Sequence, residues 1–580
     1  MMTIQTSDLF HTPTQLKLEK LSFCQHNIKS LQDWVATLSI LQLGDSSKTL
    51  FNALLEVSAL QCSEALRFDL IQSLHPTLEN VLGSLEKHFL NQGLISSDRN
   101  DHIIELSTLI RCHFAKIYID IAKRSNQQLE THQLSIFAFR KKRNLSTVRV
   151  MATYYALQQI TALFYQQHML YSAPLPGQWL IAHQLLNWAI QHHFDQSNIN
   201  HIQGTEHKLT TVAQAYARLV LLEVFNTHQI RPAEIQGLYL CSIDWARLVQ
   251  VLPKETTLSR YAVDTQYDHP PMYNNNHSKT LHPNIFIATQ KLLEHFSDLQ
   301  HKQNEYLSSN EKMLLTPALH FHIHNLLSNQ SGRRSERYDY SAPLRICFGL
   351  AVAHFYLSKG KAFLDTLEMS NHYKMQSHNT LFGSPTSAAP VQQSKGIDRE
   401  SRQIYSADVV NISLNGYRIR WTGDTPRHLK TGELILVQEN SQSHWRCATI
   451  RWIKQSTEKM LELGVEILAQ HMYPCAVNIR NENTTNSYHP ALLTQNIELD
   501  LIKNSLILPG LSIFKEKQTI FLRLGNSEIK VYLVKTLLIT QSFMQFEYEL
   551  LDDAQQSIIE NFIHKKQNEV KQHDVWEALK

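Results

Sequence analysis

From about Leu31 to Leu367 the apolar residues recur at helical spacing, and from about Tyr405 the period drops to two. In "HPTLENVLGSLEKHFL" the residues Leu78, Val81, Leu82, Leu85 and Phe89 share one face, and Pro76 stands where the first turn of a helix accepts proline. "SKTLFNALLEVSAL" and "ALRFDLIQSL" predict two further amphipathic helices before it. "VRVMATYYALQQITALFYQQHMLY" predicts a long helix that stops at the breaker "SAPLPGQ". "GQWLIAHQLLNWAIQHH" and "TVAQAYARLVLLEVF" follow, each with a wide apolar face. Trp179, Trp188 and Trp245 keep no fixed period, so no tetratricopeptide array is predicted, although stacked helix pairs would bury these faces. "YDHPPMYNNNHSK", from Tyr267 to Lys279, reads as a surface loop.

After Leu367 the stretch "SNHYKMQSHNTLFGSPTSAAPVQQSKG" has no apolar period and reads as a linker or long insertion. "YSADVV", "GYRIRW", "GELILVQE", "HWRCATIRWI" and "LELGVEIL" then alternate as closely spaced short strands, the pattern of a small barrel. A second stranded block holds "NIELDLI", a hairpin turning at Gly525-Asn526 in "TIFLRLGNSEIKVYLV", and "FMQFEYELL". The final segment predicts an amphipathic helix.

Composition narrows the function classes. The 580 residues exceed one ordinary core. A net charge of +3 gives no mandate for a nucleic-acid partner. Seven cysteines without a C-x-x-C pair fit a reducing compartment. The N-terminal residues lack a basic run followed by an apolar one, and "LRICFGLAVAHFYL" is too short for a membrane span. These features predict a cytoplasmic protein with no membrane insertion. No phosphate-binding glycine loop or nucleophile elbow is present, so no enzyme activity is expected. "HFHIH", with His320, His322 and His324, would align three imidazoles on a strand, but its surroundings predict a helix, which separates them; no metal site is assigned. "FRKKRN", Phe139 to Asn144, reads as a solvated helix end, with contact to a phosphate or an acidic partner as the alternative.

One turn stands out within the first stranded block. "NISLNG" places Asn411, Ser413 and Gly416 between two strands. Such residues serve any turn, Asn and Ser by local hydrogen bonds and Gly by positive φ. With the strands that follow, however, the segment from about Tyr405 to Ala469 resembles a PilZ domain, the bacterial receptor fold for cyclic di-GMP. The family hallmark is an R-x-x-x-R arm followed by [D/N]-x-S-x-x-G, and "NISLNG" matches the second element in full. The whole chain also resembles a bacterial group that joins a long helical region to a PilZ module.

The resemblance implies a multidomain α + β chain. Residues 1–330 would form an all-α helical array, 331–475 a PilZ-like six-stranded β-barrel with an insertion near 358–398, and 476–580 a second β-rich block, read as a degenerate barrel, with a C-terminal helix. It also implies nucleotide-binding residues. Arg can fork onto guanine O6 and N7 or onto a phosphate. Arg333 and Arg337 in "RRSER", beside Arg334, have the arm's spacing and run into the strand-like "PLRICFGL". This placement makes the residues after that strand an insertion. The rival arm is Arg399 and Arg402, nearer the turn but one residue short in spacing. Asn411, Ser413 and Gly416 would complete the site, with Gly416 letting a phosphate approach the backbone. The implied function is a regulatory protein that couples cyclic di-GMP binding to a protein partner through the helical region, with no cofactor. The alternative is a scaffold that has kept the barrel and lost the ligand.

Overall fold

The computed structural model describes residues 9–578, apart from 39–41, 91–93, 95–97, 132–138, 204–207, 275–280, 302–304, 330–336, 368–401, 414, 441–442, 457–459, 481–486 and 499–500. The chain forms two compact units, residues 1–227 with 232–331, and residues 228–231 with 332–580.

The first unit is mainly helical. It contains α1 (Ile28–Thr37), α2 (Leu43–Ala59), α3 (Glu64–Glu86), α4 (Asp98–Glu130), α5 (Phe139–Met169), α6 (Gln178–Gln191), α7 (Ile199–Gln203), α8 (Val212–Val224) and α9 (Pro232–Trp245). The two pieces predicted around Pro76 are one helix, α3, with Pro76 in its interior. The apolar stripe explains this, because Leu70, Ile71, Leu74, Leu78 and Leu82 are all fully buried along one line. Their burial, roughly 2 kcal/mol each, outweighs the roughly 3 kcal/mol that proline costs a helix interior. The long helix begins at Phe139, so "FRKKRN" is its exposed first turn, with Phe139 70% exposed.

Charge is buried in this unit. Arg67 is 0% exposed and donates to the carbonyls of Val57 (2.6 Å), Ser58 (3.2 Å) and Leu60 (2.6 Å), and through Nε to Glu64 at 3.2 Å. Val57 and Ser58 lie in the last turn of α2, whose carbonyls have no helical partner, so Arg67 closes that helix end. Glu64 also accepts from Arg124 Nε at 2.8 Å.

Strands β1 (Gln250–Leu252), β2 (Ser259–Val263), β3 (Met272–Tyr273) and β4 (Ile285–Ala288) form a small sheet in the order β1-β4-β2-β3 within the region expected to be entirely helical. At two to five residues each, they are too short to show a period. The predicted surface loop thus includes β3. Helices α10 (Gln290–Gln300), α11 (Ser309–Leu314) and α12 (Pro317–Ser328) complete the unit. The "HFHIH" segment lies in α12. There His320 bonds to the Phe296 carbonyl at 3.0 Å and His322 to the Phe225 carbonyl at 2.7 Å, so the imidazoles serve separate backbone contacts.

The second unit contains two barrels. The first is built from β5 (Arg337–Asp339), β6 (Pro343–Phe348), β7 (Tyr405–Ser413), β8 (Gly416–Trp421), β9 (Leu434–Gln438), β10 (Arg446–Gln455) and β11 (Leu461–Ala469). β7 pairs with β6 on one edge and β8 on the other, closing the ring β7-β6-β9-β10-β11-β8. β5 continues the line of β6 along β7. Phe348, Tyr405 and Trp421 fill the end away from the 413–416 turn, with centroids 5.6, 5.9 and 5.7 Å apart. Between β6 and β7 the chain inserts α13 (Leu350–Leu357) and α14 (Phe363–Thr366).

The second barrel is closed, in the order β12-β13-β14-β17-β16-β15. Its strands are β12 (His471–Asn478), β13 (His489–Glu498), β14 (Leu501–Pro509), β15 (Gln518–Leu524), β16 (Ser527–Ile539) and β17 (Phe543–Leu550), followed by helix α15 (Gln556–Ala578). Leu524 pairs with Ser527 across Gly525-Asn526, and Gly525 has φ 62°, as the first position of a type II′ hairpin turn requires. β12 begins at His471, inside the stretch that the sequence pattern gave to the first barrel. The barrels share a core: Leu350, Val352 and Ala353 of α13 pack with Leu434, Leu436 and Cys447 of the first barrel and Leu492, Ile507 and Phe543 of the second. This explains why β9 is buried on both faces. His354 Nε2 of α13 donates to the Cys475 carbonyl at 3.1 Å, and burial pushes the pKa of this imidazole down to about 4.

Candidate ligand-binding face

Strand pairing brings the turn motif and one predicted arginine together. Arg337 is the register partner of Ser413, and Asp339 that of Asn411. A shift in pairing between Val409 and Asn411 leaves Val410 as a bulge, so Asn411 comes opposite Arg418. Tyr417, Ile419 and Trp421 are buried, and the intervening Arg418 and Arg420 are half-buried on the outer face. Paired residues share a face, so Asn411 and Ser413 lie on that outer side, whereas Ala407 and Val409 before the bulge point into the barrel.

A registered row therefore crosses five strands: Asp339, Asn411, Arg418, Gly464 and Trp452. A parallel row runs through Arg337, Ser413, Gly416 and Glu466. A Cβ at Gly464 would lie 1.9 Å from Trp452 Nε1, so the bare glycine is what lets the indole cover it. Lys454 Nζ stands 6.0 Å from the indole centroid. Arg418 Nη2 donates to Glu462 at 2.6 Å, and Arg451 Nε pairs with Glu466 at 2.8 Å. Among the described residues, this face carries Arg337, Arg418, Arg420, Arg451 and Lys454 against Asp339, Asp408, Glu462 and Glu466. The described charges on this face are thus nearly balanced.

Three models of the cyclic-di-GMP receptor FimW match the chain. The N-terminal domain matches residues 29–255, the middle PilZ domain 261–401 and 383–474, and the C-terminal beta-barrel domain 475–551. The chain belongs to the PilZ-domain family. It is similar over its length to the cyclic-di-GMP receptor FimW of Pseudomonas aeruginosa, 24% identical over 575 residues that span 93% of this chain and 92% of that protein. No solved structure matches it.

On this PilZ barrel the sequence-predicted residues separate. Arg337, Asn411, Ser413 and Gly416 come together, while Arg333, Arg334 and Arg399 lie outside the described residues. Arg402 precedes β7 and so stands at the far end of that strand, roughly 30 Å from the turn at about 3.3 Å per residue. Its guanidinium covers the Phe355 ring at 4.3 Å. Asn411 is 9% exposed, and Ser413 Oγ donates to the Gly416 carbonyl at 3.3 Å.

Gly416 corrects the expectation for its role. It is not among the residues with positive φ, and a Cβ there would lie 1.9 Å from the Val465 carbonyl oxygen. Strand packing against β11 thus requires this glycine before any phosphate does. Arg418 and Trp452 escaped the sequence reading. "GYRIRW" carries the alternation that sends Arg418 outward, but only the register reveals that Trp452 reaches the same row.

Among the described residues, no group of three or more His, Cys, Asp or Glu side chains could hold a metal ion, and no helix is long and apolar enough to cross a membrane.

Proposed function

We propose that this chain is a cyclic di-GMP receptor whose ligand lies on the outer face of the PilZ barrel. The observation that supports it is the pairing of Arg337 with Ser413, two residue pairs from Asn411, although 73 residues intervene in the sequence between Arg337 and Asn411. In this reading Arg337 forks onto a phosphate, Arg333 and Arg334 of the same arm add positive charge, and Asn411 and Ser413 offer short polar groups beside it. Gly416 keeps the turn close to β11. Trp452 supplies a flat surface on which a base can stack. Ordering of the arm by charge-assisted bonds would then alter what the receptor presents to a cytoplasmic protein partner engaged by the helical region.

Calorimetric titration of the full chain with cyclic di-GMP tests this, alongside Arg337→Ala and an Arg399→Ala/Arg402→Ala pair. Saturable binding that Arg337→Ala weakens and the pair leaves intact is the expected result. Loss in the pair alone would move the arm to Arg399 and Arg402. A second reading draws on the Arg418–Glu462 and Arg451–Glu466 pairs and on the steric need for Gly416: a scaffold that retains the face for shape alone. Absence of heat from the wild-type chain at several temperatures would favour it.

A further inference from the structure

On the ligand face one guanidinium is held by a carboxylate and yet remains partly open to solvent. Glu462 fixes Arg418 Nη2 at 2.6 Å, while the Arg418 side chain is 36% exposed. In the registered row Arg418 stands between Asn411 and Gly464, and the Trp452 indole lies over Gly464. Adjacent strands are about 4.8 Å apart. A base stacked on that indole would therefore meet Arg418 from the side, at its edge.

The edge is where purines differ. Guanine offers O6 and N7, two acceptors side by side, whereas adenine offers N7 beside an amino donor. A guanidinium has donors alone, so it forks onto the first edge and is opposed by the amino group of the second. We propose that Arg418, positioned by Glu462, reads the guanine edge of the bound dinucleotide and discriminates against adenine. The inference rests on the receptor reading above and divides the labour within it. Arg337 and the turn engage what cyclic dinucleotides share, and Arg418 reads what distinguishes them. Glu462 is a positioning residue, because it touches the guanidinium and not the base.

The test is equilibrium titration of the full chain with cyclic di-GMP and with cyclic di-AMP, reported as the ratio of the two affinities. The wild type should prefer the guanine nucleotide. Arg418→Ala should reduce the ratio by about tenfold to a hundredfold. Arg418→Lys keeps the charge but not the fork, so it should lose a comparable share, and it serves where the alanine variant fails to fold. Glu462→Gln should lower the ratio by a smaller factor. Arg337→Ala should weaken both nucleotides and leave the ratio unchanged. A wild type that discriminates, with the ratio intact in both Arg418 variants, would overturn this inference and leave the receptor reading standing. A wild type that binds neither dinucleotide would overturn both.

Discussion

In the helical unit Arg67 has no exposure and meets three carbonyl groups and a carboxylate at 3.2 Å or less; on the barrel face Arg418 is partly exposed and tied to one carboxylate. Both are arginines beside a glutamate. They differ in what remains available after folding. Burial demands that every donor near Arg67 find an acceptor, because an unmet buried charge costs several kcal/mol. Partial exposure relaxes that demand at Arg418. One arginine therefore holds a helix end, and the other keeps part of its side chain open to solvent.

The contrast is sharpest in stability. Arg67→Leu should destabilise the helical unit by about 3–5 kcal/mol, because Glu64 and the α2 carbonyls lose their partner. Arg418→Leu should cost no more than about 1 kcal/mol, as partly exposed pairs do. Urea midpoints of the two variants measure the difference, and equal shifts would remove the distinction.

The next largest effect is a pH dependence at the joint between the barrels. The folded pKa of His354, about 4, lies below the ordinary histidine value, so protons bind the unfolded chain more readily. Its contribution is complete above about pH 6.5 and declines as pH falls toward 4, by about 3 kcal/mol in total. His354→Gln should flatten that part of the stability curve of the two-barrel unit. A curve unchanged by the substitution would show that His354 carries none of it.

Gly464→Ala should cost about 1–3 kcal/mol, through displacement of the Trp452 indole. Near-ultraviolet circular dichroism would report the displaced ring. Smallest of all, Arg337→Ala should leave stability within about 0.5 kcal/mol of wild type while cyclic di-GMP affinity falls. A large stability loss there would mean that Arg337 is a structural residue of the barrel.

Much of this was legible in the residues. Period-two alternation marked the barrel strands, Gly525-Asn526 marked a hairpin, and "PLRICFGL" was identified as strand-like although α13, α14 and a further stretch of chain separate it from β7. The PilZ motif picked out the turn that strand pairing places beside Arg337. Other features were not legible, for physical reasons. The bulge at Val410 reverses which side Asn411 faces, and no alternation count anticipates one extra residue. Trp452 joins the row only through a second register shift, between Ile450 and Trp452 in β10. Pro76 looked like a helix start because local propensity favours that position, but the buried stripe on both sides of it outweighed propensity.

The core shared by α13 and the two barrels also bears on inheritance. A recombination event that cut the chain between β11 and β12 would expose Leu434, Leu436 and Cys447 on one product and Leu492, Ile507 and Phe543 on the other. Each product would carry an apolar surface prone to association, while the strand carrying Arg337 would remain tied to α13 by the continuous chain. The smallest piece that a genome can move intact is thus the barrel pair together with its inserted helix, and the face bearing Arg337 and Asn411 travels only in that company.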